Sequence, residues 1–129
     1  MAEPKRVQRP ISPFMIGPYY RPQLTSVTSI LTRITGNAML VSFLIGTWWM
    51  LAAATSQEYF DVVDGFVTSW FGDLIMFLSL WGLCYHFLAG IRHLIYDAGR
   101  GLDIPTAEKL GWACVGGSVI LTILIAIIV

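Results

Sequence analysis

This sequence contains three long, mostly apolar stretches without an Asp, Glu, Lys or Arg side chain. Such stretches run from Ile34 to Gln57 (24 residues), from Leu74 to Ile91 (18 residues) and from Leu110 to Val129 (20 residues). Because an α-helix needs about 20 residues to cross the hydrocarbon core of a bilayer, each stretch together with its flanks can span a membrane. The pattern predicts an all-α integral membrane protein with three transmembrane helices, at about residues 25–55, 67–96 and 106–129.

The composition agrees with this interpretation and disfavours both a soluble domain and a nucleic-acid-binding protein. Hydrophobic residues make up 56% of the 129 residues and charged residues only 12%, about half the usual charged fraction of roughly 25% in soluble domains. The formal net charge is zero, which disfavours a nucleic-acid-binding protein because no excess of positive charge faces the phosphates. Cys84 and Cys114 both lie in apolar runs, so we expect no disulfide framework.

The distribution of charge predicts how the chain is oriented. All eight basic residues precede or open the first span, or lie at or between the facing ends of the second and third spans: Lys5, Arg6, Arg9, Arg21, Arg33, Arg92, Arg100 and Lys109. The loop between the first two spans carries four acidic residues and no Lys or Arg: Glu58, Asp61, Asp64 and Asp73. By the positive-inside rule, the N-terminus is cytoplasmic and the C-terminus is periplasmic.

The N-terminal segment differs from the rest of the chain. Residues 1–24 contain five of the six prolines and are predicted to form an extended cytoplasmic arm, followed by a membrane domain over residues 25–129. An N-terminal transit peptide rich in Arg and poor in acidic residues is not found, which favours the inner membrane of a bacterium over a mitochondrion.

The second span carries ionisable residues on one face. His86, Gly90, His93 and Asp97 are spaced four, three and four residues apart, which places them on one side of a helix. His86 lies 12 residues beyond Leu74, or about 18 Å along the helix axis. This histidine either makes a hydrogen bond between helices or ligates a haem iron, with Gly90 allowing a flat macrocycle to approach.

The two histidines cannot both ligate one iron. Seven residues separate them by about 10.5 Å along the helix, whereas axial nitrogens on opposite sides of an iron are about 4 Å apart. The second ligand of an iron bound by His86 therefore comes from elsewhere. Methionine is the only other plausible donor within this chain, and a partner subunit is the more economical source.

The first span offers a second candidate site near its N-terminal end. Ser29 and Arg33 are four residues apart and share a helix face with Thr25 and Gly36. An arginine at the end of a span commonly extends to the lipid headgroups. Alternatively, the hydroxyl and the guanidinium bind a carbonyl of a lipophilic ligand or a haem propionate.

Two segments resemble a known family. The segments Arg9-Pro-Ile-Ser-Pro13 and Tyr20-Arg-Pro-Gln-Leu-Thr-Ser-Val-Thr-Ser-Ile-Leu-Thr-Arg-Ile-Thr-Gly36 resemble the N-terminal signature of the cytochrome b subunits of succinate dehydrogenase. The segment His86-Phe-Leu-Ala-Gly-Ile-Arg-His-Leu-Ile-Tyr-Asp-Ala-Gly99 resembles the second signature of that family. Arm, spans and motifs follow in the family's order.

The resemblance implies a role in respiratory complex II. It implies a membrane anchor that forms a haem-binding helical bundle with a second hydrophobic anchor subunit, below an iron–sulfur subunit and a flavoprotein subunit. His86 matches the axial ligand of haem b, and His93 matches a histidine near the haem propionates. Ser29 and Arg33 match the site where ubiquinone or another quinone is reduced. The sites for succinate, flavin and iron–sulfur clusters belong to the other subunits.

The sequence departs from the family pattern at two positions, and two alternative functions stay open. Thr32 replaces the histidine that many members have before the arginine of the first signature, and Phe14 replaces a frequent histidine in the arm. One alternative is a structural anchor without haem, in which the histidines only connect helices. The other is a small cytochrome b that acts outside complex II.

Overall fold

The computed structural model describes residues 13–129, so that the first half of the predicted arm, residues 1–12, lies outside the described residues. A single 3₁₀ turn (Pro13–Met15) precedes four α-helices: α1 (Leu24–Thr55), α2 (Gln57–Val67), α3 (Trp70–Asp97) and α4 (Ile104–Ile128). Of these, α1, α3 and α4 are long and apolar enough to cross a membrane. The predicted class, an all-α membrane protein with three spanning helices, is confirmed.

Helix α2 was not predicted, and it separates the first two spans. Ser56 ends α1 and caps α2 by accepting a hydrogen bond from the Tyr59 N–H at 3.2 Å. The indoles of the last turns of α1 hold α2 in place: Trp48 donates to the Tyr59 hydroxyl at 2.7 Å, and Trp49 donates to the Asp64 carboxylate at 2.9 Å. Because α2 takes up residues as far as Val67, α3 begins at Trp70 instead of residue 67.

The three long helices pack on one another through small and polar residues. Tyr85 and Ala89 of α3 and Cys114 of α4 form a small buried cluster. Cys114 and Cys84 are both buried free thiols. Hydrogen bonds cross between helices as well, from Tyr85 to the Thr28 carbonyl at 2.8 Å and from Trp81 to Ser118 at 3.2 Å. Small interfaces and hydrogen bonds between helices are typical of membrane bundles, where apolar side chains face lipid instead of a core.

A short loop joins α3 to α4 at the end of the bundle where α1 begins. Gly99 and Gly101 adopt φ angles of 71° and 70°, a conformation that costs glycine little. Asp103 then caps α4 by accepting hydrogen bonds from the Thr106 hydroxyl at 2.7 Å and from the Thr106 N–H at 3.1 Å. The hydrogen bonds from Thr106 lower the pKa of the Asp103 carboxyl.

Candidate haem and quinone sites

The His86 ring lies against the backbone of α1. Its Nδ1 is 3.2 Å from the Thr32 carbonyl oxygen and 3.3 Å from the Thr35 hydroxyl oxygen. A carbonyl can only accept a hydrogen bond, so we assign the imidazole proton to Nδ1. The other nitrogen, Nε2, then carries a lone pair, and it forms no hydrogen bond within residues 13–129.

Two glycines set the space around this ring. A Cβ on Gly36 would lie 3.1 Å from His86 Cε1, so the absence of a side chain there allows the close approach of α3 to α1. On the face of α3 that carries His86, a Cβ on Gly90 would meet no described atom within 4 Å. His86 and Gly90 thus combine a free imidazole nitrogen with open space one helical turn away, which fits a flat macrocycle.

The number of potential ligands that the chain brings together limits the kind of metal site that it can form. Within the described residues, no group of three or more His, Cys, Asp or Glu side chains could hold a metal ion. One imidazole per chain fits an iron that is already held in a macrocycle and needs only axial ligands.

His93 lies two turns further along α3 and is exposed. Its ring makes an edge-to-face contact with Tyr96, with ring centroids 6.3 Å apart. It shares the His86 face of the helix, as predicted, but the structure brings it into a different environment, at the end of the bundle.

Ser29 lines a cavity at this end of the bundle. The cavity has a volume of about 260 Å³, and its lining comes from the start of α1, the end of α3, the loop before α4 and the first turn of α4: Thr25, Thr28, Ser29, Arg92, His93, Tyr96, Gly101, Leu102 and Ala107. Arg33, predicted to act with Ser29, is exposed one turn further along α1 and does not line the cavity. Ser29 and His93 therefore line one cavity, and Arg33 lies one helical turn from Ser29, outside this lining.

Arg92 is a lining residue that the sequence analysis did not select as a site residue. Its side chain is only 4% exposed, its guanidinium lies 6.0 Å from the centre of the Tyr96 ring, and its Nε has no hydrogen-bond partner among the described residues. The signal was present in the sequence, because Arg92 directly ends a charge-free run, five residues before the end of α3.

Comparisons with known proteins find similarity over nearly the whole chain. Residues 5–125 match the family described as "Succinate dehydrogenase/Fumarate reductase transmembrane subunit". The succinate dehydrogenase cytochrome b556 subunit of Paracoccus denitrificans is 47% identical over 128 residues, covering 99% of this chain and 97% of that protein. The cytochrome b556 subunit of Rickettsia prowazekii is 35% identical (92% and 90% covered), and the cytochrome b560 subunit of Reclinomonas americana is 34% identical (95% and 87% covered).

Proposed function

The chain belongs to the family of succinate dehydrogenase/fumarate reductase transmembrane subunits and is a cytochrome b anchor subunit of complex II; from this premise we propose that it binds haem b and helps to form the quinone-reduction site. It is a multi-pass protein of the inner membrane. The proposed complex contains a second hydrophobic anchor subunit, an iron–sulfur subunit and a flavoprotein subunit. In this arrangement electrons from succinate reach a quinone.

The arrangement of His86 carries the haem proposal. Thr32 and Thr35 engage Nδ1 and leave Nε2 with a lone pair, which is the tautomer that an axial ligand needs. Bound haem b supplies a one-electron carrier inside the membrane. His86 would hold it from this chain, and the other anchor subunit would supply the second ligand of the iron.

We propose that the haem propionates lie beside the last turns of α3. His93 and Arg33 are the proposed contacts of the propionates. Both side chains are exposed on this chain, so either can meet a carboxylate without first losing an internal partner.

The cavity beside Ser29 supports the quinone proposal. The cavity lies near the start of α1, so a quinone headgroup bound there would be close to the membrane surface, where electrons and protons from the soluble subunits arrive. Negative charge develops on the quinone oxygens during reduction. A Ser29 hydroxyl and the Arg33 guanidinium stabilise that charge more than they stabilise the neutral ring.

The proposed orientation follows from the charges at the two ends of the bundle. The described basic residues lie at the end where α1 begins and α3 ends: Arg21, Arg33, Arg92, Arg100 and Lys109. We place this end, together with the arm of residues 1–24, in the cytoplasm. The membrane domain of residues 25–129 then ends in the periplasm.

The haem proposal is tested by His86→Ala in the assembled complex. We expect the reduced spectrum of a haem with two histidine ligands to be lost or strongly reduced, because one axial ligand is missing. His93→Ala is the matched control on the same helix face, and we expect it to retain the spectrum with a shifted haem potential or stability. An unchanged spectrum in His86→Ala would show that this histidine only connects helices, which is the structural-anchor alternative.

The quinone proposal is tested by Ser29→Ala. We expect a loss of about 10²–10³ in quinone reduction, the usual effect of removing one donor to a developing oxyanion. Succinate oxidation with an artificial acceptor that draws electrons from the soluble subunits should persist. Ser42→Ala is the control, because Ser42 lies on the same helix but bonds to Ser79 at 2.7 Å instead of lining the cavity. Full quinone reduction in assembled Ser29→Ala would move the site away from α1.

A further inference from the structure

Thr35 is a buried polar residue in the middle of the α1–α3 contact. Its side chain is 3% exposed, and its hydroxyl donates to the Leu31 carbonyl at 2.9 Å, with the Thr32 carbonyl at 3.1 Å. A hydroxyl has one proton and two acceptor lone pairs. The proton is used within α1, so a lone pair remains for a donor on another helix.

That donor is His86 on α3. The Nδ1–H lies between the Thr35 hydroxyl oxygen at 3.3 Å and the Thr32 carbonyl oxygen at 3.2 Å. These two acceptors fix the rotation of the imidazole ring and draw its proton toward α1. The ring therefore gains electron density at Nε2, the nitrogen that is free to bind a metal.

Of the two acceptors, only the Thr35 hydroxyl belongs to a side chain. The Thr32 carbonyl is part of the backbone and is retained in every substitution of that residue. Thr35 is thus the point at which the sequence can change the hydrogen bonding of His86 without removing His86 itself.

We propose that Thr35 is a positioning residue for the haem ligand, which holds the His86 ring in its ligating orientation and lowers the potential of the iron that His86 binds. The inference rests on the proposed function, namely that His86 is an axial ligand. A hydrogen-bond acceptor at Nδ1 makes the imidazole a stronger electron donor, and a stronger donor favours ferric over ferrous iron.

A second threonine of α1, Thr47, is the control for a purely structural role of the Thr35 hydroxyl. Thr47 donates to the Phe43 carbonyl at 2.8 Å in the same way as Thr35 donates to Leu31. Thr47 is exposed and no hydrogen bond connects it to α3 within the described residues. The two residues share their helix and their backbone contact and differ in the bond to His86.

The experiment uses the complete complex with Thr35→Val, which keeps the shape of the side chain and removes the acceptor. We expect the haem midpoint potential to rise and the low-spin ferric EPR signal to shift. Haem retention should fall about 10-fold, at the lower end of the effect of removing a partner of a metal ligand, because the Thr32 carbonyl remains. Thr47→Val should leave all three measurements unchanged.

A second pair separates the hydroxyl from packing. Thr35→Ser and Thr35→Ala both lose the methyl group, and only the serine keeps the acceptor. We expect Thr35→Ser to have the potential and EPR signal of the parent complex, and Thr35→Ala to follow Thr35→Val. Equal potentials and signals in the two variants of this pair would overturn the role of Thr35. A parent complex without haem would instead overturn the proposed function.

Discussion

The two ends of the helix bundle differ in whether their large polar side chains all find partners within the chain. At the capped end, formed by residues 48–73, Trp48 and Trp49 donate hydrogen bonds to Tyr59 and Asp64 of the same chain. At the open end, formed by residues 24–36 and 86–111, Arg92 is buried with its Nε unpartnered among the described residues. Ser29 at this end lines a cavity of about 260 Å³.

The difference is in line with the proposal that the open end binds a ligand. An unpaired polar group away from water is costly, so a protein retains such groups only where they have a partner in the working complex or a function. The capped end satisfies its indoles within the chain. At the open end, the Arg92 Nε has no such partner among the described residues.

The largest effect that we expect is at the capped end, from Gly72→Ala. A Cβ at this position would run into the backbone carbonyls of Phe66 and Val67, and backbone cannot move aside as a flexible side chain does. Forced overpacking typically costs about 1–3 kcal/mol. The assembled complex should unfold at a lower denaturant concentration, while its haem spectrum stays that of the parent.

Gly65→Ala is the matched control for this prediction. A Cβ on Gly65 would meet no described atom within 4 Å, and replacing a helical glycine by alanine favours the helix by about 0.5–1 kcal/mol. Equal stability of the Gly72 and Gly65 variants would contradict the close α2–α3 junction. A changed haem spectrum in either variant would contradict the separation of the two ends.

The same substitution at the open end, Gly36→Ala, should have a smaller effect on stability and a clear effect on the haem. The added Cβ would lie 3.1 Å from His86 Cε1, so the ring has to move by a few tenths of an ångström. We expect a shift in haem potential, measured by redox titration. The helical gain of about 0.5–1 kcal/mol offsets part of the packing cost.

Gly46→Ala provides the comparison on the same helix. No described atom lies within 4 Å of its Cβ position, so the potential should be that of the parent. If both variants had the parent's potential, the contact between Gly36 and the His86 ring would have no influence on the iron.

The smallest expected effect concerns Asp103, which caps α4 at the open end. Hydrogen bonds from Thr106 lower the pKa of this carboxyl below its ordinary value of 3.8. Its stabilising contribution is therefore present above the ordinary pKa and is lost as the pH falls through the lowered one. The free energy of unfolding, measured across this acidic pH range, should depend weakly on pH.

The dependence should disappear in Asp103→Asn, whose side-chain oxygen can still cap α4 but does not titrate. The haem potential should not respond to this substitution. A pH dependence that persists in Asp103→Asn would assign it to other carboxyl groups of the complex.

The sequence alone determined the three spanning helices and the family. A membrane requires about 20 apolar residues per helix, so charge-free runs predict the spans almost by length alone. The motifs around Ser29 and His86 then led to the family that the comparisons found. Whether His86 connects helices or ligates iron could not be decided from position, because both roles place a histidine inside the bilayer.

The tertiary structure decided which residues meet. The contact of His86 with Thr32, Thr35 and Gly36 joins residues 50 to 54 positions apart, and it depends on the rotation and depth of α1 against α3. Neither this rotation nor this depth can be predicted from the periodicity of a helix that is apolar on nearly all sides. The burial of Arg92 has the same origin, since only packing against α1 and α4 distinguishes it from an arginine that extends to the headgroups. Helix α2 is short, and the polar contacts that hold it come from side chains of α1, so the apolar pattern that predicts the spans could not predict it.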